Sequence, residues 1–165
     1  MKLKGLSLSL FSVSLLTGCV GIQDLEFSQV GTCNVETTTS IEKINWDDAD
    51  LIKIEIERNK FYPSLIEMRW KTPYKLSLIN KDNKRHWFTA RKFFQNTKIE
   101  KISIDGEDFV ENCVSTVALY EKSTTTLQII PLDTGIFDFE VAHPLNTTLT
   151  ILMGTGATNT IYVNR

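Results

Sequence analysis

The 165-residue chain has almost no excess charge of either sign: 18 Lys and Arg stand against 20 Asp and Glu, spread along the sequence rather than gathered into blocks. Without a basic excess there is little to neutralise a phosphate backbone, so nucleic acid is not an expected partner. Glycine and proline are scarce, at 8 and 4 residues, which excludes a collagen-like chain, and 42% of the residues are apolar, enough for one domain with a packed core. There are only two histidines, and no His-Glu-x-x-His pair, Gly-x-Ser-x-Gly elbow or three-glycine dinucleotide loop is present. Hydrolytic and nucleotide-dependent chemistry lack their usual carriers, and a non-enzymatic role is expected. Asp47-Asp48-Ala49-Asp50 lacks the alternating oxygen ligands and the glycine of a calcium loop and reads as a solvated turn. Long apolar runs are missing as well, except at the extreme N-terminus, where the run is too short to leave a spanning helix after processing.

That N-terminus carries the most specific signal. Lys2 and Lys4 form a positive region, Leu6 to Leu16 an apolar one, and Leu16-Thr17-Gly18-Cys19 sets small residues ahead of a cysteine, as a processing site requires. The four residues resemble the bacterial lipobox, in which the cysteine is acylated and becomes the first residue of the mature chain. Residues 1–18 are therefore expected to be a lipoprotein signal peptide, 19–48 a lipidated N-terminus and tether, and 49–165 the folded domain. Loss of the two signal lysines leaves 16 basic against 20 acidic side chains, which suits a solvated periplasmic surface. Val20, not an aspartate, follows Cys19, and by the family's sorting pattern this points to the outer membrane.

Assigning Cys19 to the lipid leaves Cys33 and Cys113. In an oxidising compartment two left-over thiols are expected to be bridged, here across 80 residues. A metal-thiolate reading is weaker, because neither cysteine has a second cysteine or a histidine beside it.

Beyond the signal, apolar residues alternate with period two. Leu51 to Glu57 sets Ile52, Ile54 and Ile56 on one face, and further strands are expected at Ser64 to Trp70, Tyr74 to Ile79, Ile99 to Ile104, Thr124 to Ile130, Ile136 to Val141 and Asn159 to Val163. Asp105-Gly106, Asp133-Thr134-Gly135 and Met153-Gly154-Thr155-Gly156 supply turns. Ala90 to Thr97 alone suggests a short helix, and Asp108 to Val117 reads as an insertion to which the bridge would pin the tether. The pattern is that of an all-β sandwich.

The order of the pieces resembles a cupredoxin. The resemblance, over about residues 50–165, rests on a strand ending at Asn80, a polar loop, and His86 with Phe88 behind it. A strand opening Gly135-Ile136-Phe137-Asp138-Phe139 then runs toward His143, and Met153-Gly154 precedes a last strand ending Ile161-Tyr162-Val163. His86 to Phe94 is similar to plastocyanin-like domains of exported bacterial proteins. The resemblance implies a Greek-key β-sandwich, and it implies copper. In the blue-copper members a histidine after the Asn strand, a cysteine, a second histidine and usually a methionine hold the metal.

Here the match divides. His86 stands at the first histidine position, but the cysteine position falls on Val141 in a register built from Gly135, Phe137 and Phe139, or on Glu140 in one built from His143-Pro144. Strand parity favours Val141, and in either register the sulfur is missing. Met153 lies farther from His143 than the usual axial methionine. A blue centre is thus disfavoured, and what remains is a thiolate-free copper site of His86 and His143 with Glu140 or Met153 as a further ligand. The alternative is a metal-free sandwich, held at the membrane by its lipid, that binds another envelope protein. Fold analogy does not choose between them.

Overall fold

The computed structural model describes residues 28–30, 33, 44–111, 113–141 and 159–165. Its strands are β1 (Ser28–Val30), β2 (Asp50–Glu57), β3 (Lys60–Tyr62), β4 (Leu65–Arg69), β5 (Tyr74–Asn80), β6 (His86–Thr89), β7 (Thr97–Ile104), β8 (Glu107–Phe109), β9 (Val114–Leu119), β10 (Thr124–Pro131), β11 (Gly135–Phe139) and β12 (Asn159–Asn164). A single helical turn and a half, α1 (Arg91–Gln95), interrupts them. Among the described residues no helix is long and apolar enough to cross a membrane.

One sheet runs β3-β2-β5-β10-β7-β8. The other is assembled from β1-β9-β6 and β11-β12-β4, which are joined where Thr89 and Glu140 exchange both backbone hydrogen bonds at 3.0 Å. Pairs are antiparallel except β2 with β5 and β4 with β12. The period-two pattern explains the layering. In β2, Ile54 and Ile56 turn inward while Lys53 and Glu57 stay in water, and in β4 Ile66 and Met68 face the core between exposed Leu65, Glu67 and Arg69.

The two layers close on a shared aromatic core. Phe61 of the first sheet meets Phe88 and Phe139 of the second with ring centroids 5.4 and 5.3 Å apart, and Phe88 and Phe139 lie 5.1 Å apart. Such tilted and edge-on pairs add roughly 0.5–1.5 kcal/mol each beyond the burial of their area. Phe93 and Phe94 of α1 pack on Phe137 and Phe88, so the helix plugs the sandwich at the end of β6 away from His86.

The seven expected strands correspond to β2, β4, β5, β7, β10, β11 and β12, and the short helix falls within Ala90 to Thr97. Asp105 and Gly106, with φ of 49° and 96°, form the two-residue hairpin turn between β7 and β8 that an Asp-Gly pair favours. The Met153 to Gly156 turn lies outside the described residues. Asp47 and Asp48 belong to one 3-10 turn, Trp46–Asp48, whose first turn is capped by the Asn45 side chain.

The expected insertion at Asp108 to Val117 needs correction: its first residues belong to β8 and its last to β9, an interior strand between β1 and β6. β9 escaped the pattern because Val114, Thr116, Val117, Ala118 and Leu119 are all buried, so neither face alternates. β1 lies within the segment expected as a tether and, among the described residues, is the edge of its sheet and pairs with β9. Just past the Val30–Val114 pair, Cys33 and Cys113 are joined by a disulfide with Cα atoms 5.7 Å apart, within the normal span for such a bond.

Candidate metal centre

His86 opens β6, and the loop that delivers it is organised by the residue that ends β5. Asn80 is 1% exposed, and its Nδ2 donates to the carbonyls of Lys84, Leu119 and Tyr120 at 2.8, 3.0 and 2.7 Å. An amide has two hydrogens for these three acceptors, so one is shared. Its Oδ1 accepts the Asp82 backbone N–H at 2.9 Å, curling the loop back on itself. One side chain thereby ties the end of β5, the 81–85 loop and the end of β9 together. The tie is needed because carbonyls at a buried strand end have no water to turn to.

The curl brings Asp82 to His86. Asp82 Oδ2 lies 2.8 Å from His86 Nε2, and the imidazole side chain is 3% exposed. The same carboxylate accepts backbone N–H groups from Arg58 at 3.0 Å and Asn59 at 3.4 Å, the left-handed pair that turns β2 into β3. These bonds hold the Asp82 carboxyl below its ordinary range: the Arg58 amide contributes most, partial burial opposes it, and the His86 ring and Asn59 amide add to the lowering. Arg85, the residue before His86, lies over the Trp87 ring at 4.3 Å and the Tyr120 ring at 5.0 Å, roofing the outer side of the loop.

Of the other residues singled out from the sequence, Glu140 is paired with Thr89, three residues along β6 from His86 and so about 10 Å from it along the strand. It is half-buried at that bridge. Phe137 and Phe139 are buried while Ile136 and Asp138 are exposed, the parity that puts Val141 on the inward side, and Val141 packs against the core. His143, Met153 and Cys19 lie outside the described residues. Among the described residues no three His, Cys, Asp or Glu side chains gather as a metal-binding group.

A buried imidazole whose second nitrogen is held by a carboxylate is a donor that suits copper. The thiolate positions carry Val141 and Glu140, and two of the three cysteines are bonded to each other. Among the described residues His86 alone offers an imidazole, and neither family thiolate position carries sulfur. Asn80 was read from the sequence as the end of a strand, and Asp82 only as part of the polar loop after it. The available signal was the Asn-x-Asp spacing ahead of the histidine, and it becomes meaningful only once the loop is folded.

No family model and no curated protein matches the sequence. Solved structures do match. A multicopper oxidase variant of the hyperthermophile Aquifex aeolicus aligns over 77% of this chain and 32% of its own with 12% identity and a TM-score of 0.52. A multi-copper oxidase of Pseudomonas thermotolerans aligns over 76% of this chain and 32% of its own with 13% identity, also at 0.52. Auracyanin B aligns over 84% of this chain and 99% of its own with 11% identity at 0.47. The chain spans about a third of the length of those two oxidases. At such identities the likeness is one of fold, and the fold of this chain is a cupredoxin-like β-sandwich.

Proposed function

We propose that the protein is a non-enzymatic, periplasm-facing lipoprotein that holds a copper ion at a thiolate-free site. Cys19 carries the lipid anchor, and His86 and His143 supply the imidazoles. The observation that carries this reading is His86 itself: a buried imidazole at the end of a cupredoxin-like sandwich, with one ring nitrogen taken by Asp82 and Nδ1 left as the other. A carboxylate beside two imidazoles would favour Cu(II), whereas the Met153 thioether would favour Cu(I). A metal-free envelope interaction module is the second reading, favoured by Val141, which fills a family ligand position with a side chain that packs against the core.

Copper titration of wild type, His86→Ala and His143→Ala separates the two. The copper reading expects binding by wild type alone, without the intense visible colour of a copper–thiolate bond. Equal binding by all three eliminates the site. No binding by wild type favours the interaction module.

A further inference from the structure

Among the described residues Asp82 is the charged side chain that meets His86, and the copper reading uses it only as the partner of one ring nitrogen. We propose that Asp82 is a positioning residue: its carboxylate accepts the Nε2 hydrogen of His86 and so fixes the imidazole as one tautomer, with the lone pair on Nδ1. The effect on the ring belongs to the metal-free protein, and only its consequence for affinity rests on the copper reading.

The chemistry follows from what each partner can do. A neutral imidazole carries one N–H, and which nitrogen bears it is set by the hydrogen bonds the ring finds. An ionised carboxylate has no hydrogen to give, so the ring nitrogen that faces it must be the donor. The 2.8 Å separation of Nε2 and Oδ2 is the length of a charge-assisted bond.

The acceptor is also immobile. Asp82 is held by its own N–H to Asn80 Oδ1 at 2.9 Å, by its carbonyl to the Lys122 N–H at 3.3 Å, and by its carboxylate to the Arg58 and Asn59 amides at 3.0 and 3.4 Å. These partners come from the end of β5, the β9–β10 turn and the β2–β3 turn, so the oxygen meeting His86 is positioned from three directions. The ring cannot readily exchange its partner for water, since the imidazole is almost wholly enclosed. A ligand histidine backed in this way is oriented in advance, and loss of such a partner costs about 10–100-fold in metal affinity.

The tautomer is measurable directly, and the copper affinity is the readout that a merely structural link from the β2–β3 turn to β6 would leave unmoved. The full chain labelled with 15N-histidine has only two imidazoles, so His86→Ala identifies the His86 signals at once. In metal-free wild type, the neutral ring of His86 should show a protonated Nε2 and a bare Nδ1. An Nδ1–H tautomer or a mixture of tautomers overturns the proposal, and that outcome needs no variant to fold. In Asp82→Ala the Nε2–H preference should disappear, and its persistence would overturn the assignment to Asp82. Copper affinity should fall about 10-fold or more in Asp82→Ala, and an unchanged affinity in a binding protein would refute the positioning role. Wild type that binds no copper refutes the copper reading instead, and the tautomer result stands apart from it.

Discussion

Replacing Cys33 and Cys113 together by alanine removes the covalent tie beside the Val30–Val114 pair, where the edge strand β1 meets β9. The bond closes a loop of 80 residues. Chain-entropy arithmetic for a loop of that size assigns it about 4–5 kcal/mol at 25 °C, through restriction of the unfolded chain. Small domains are stable by about 5–15 kcal/mol in all, so the loss would be a large share of the total. The native state is affected as well. Among the described residues β1 has three residues and one neighbouring strand, so the bond reinforces a short set of backbone pairs.

Urea unfolding followed by tryptophan fluorescence reads the first effect, and amide exchange reads the second. We expect the double variant, and wild type with a dithiol reductant, to lose about 3–5 kcal/mol, with a steeper denaturant dependence because the unfolded chain expands. Exchange should accelerate at Ser28–Val30 well before it does in the interior strand β9. A double variant within about 1 kcal/mol of wild type at unchanged slope would refute the reasoning, as would two free thiols in protein isolated from the periplasm.

Asn80→Ala strips the donor from the carbonyls of Leu119 and Tyr120 and should cost about 2–4 kcal/mol in thermal unfolding; a loss under about 0.5 kcal/mol would mean that other groups satisfy them. The Asp108 carboxyl is held below its ordinary range by the Ser103 hydroxyl and the Lys101 ammonium, so its contribution is complete above about pH 4 and is lost as pH falls through the lower folded-state value. Asp108→Asn should thus be less stable than wild type at pH 6 and equal to it near pH 2, and a gap that did not close with acid would contradict this. Cys19→Ala should release the protein from membranes, because a chain without its acyl groups has no anchor; full partitioning of that variant with the membrane fraction would end the lipoprotein reading.

Much of the fold was legible because most of its strands wet one face. β2 and β4 alternate visibly because water lies on one side of them and the core on the other. β9 was misread as part of an insertion because it is buried on both faces, and its serine and threonine, which bond to neighbours inside the second sheet, look from the sequence like a polar loop. The hairpin at Asp105-Gly106 was readable from two residues, since the positive φ angles are a local requirement. The bridge between Cys33 and Cys113 was readable from a count and a compartment alone.

The candidate site divides along the same line. Residue identity alone says which donor atoms exist: two imidazoles, no sulfur at either family cysteine position, and a carboxylate four residues before His86. Which of them meet depends on how the loops fold against one another. Asp82 reaches His86 because Asn80, two positions before it, curls the loop and the β2–β3 turn, more than 20 positions away in the chain, clamps the carboxylate. The backbone pair Thr89–Glu140 sets Glu140 three residues along β6 from His86. Donor chemistry is a property of each residue, whereas position depends on hydrogen bonds between distant segments that form together when the core closes.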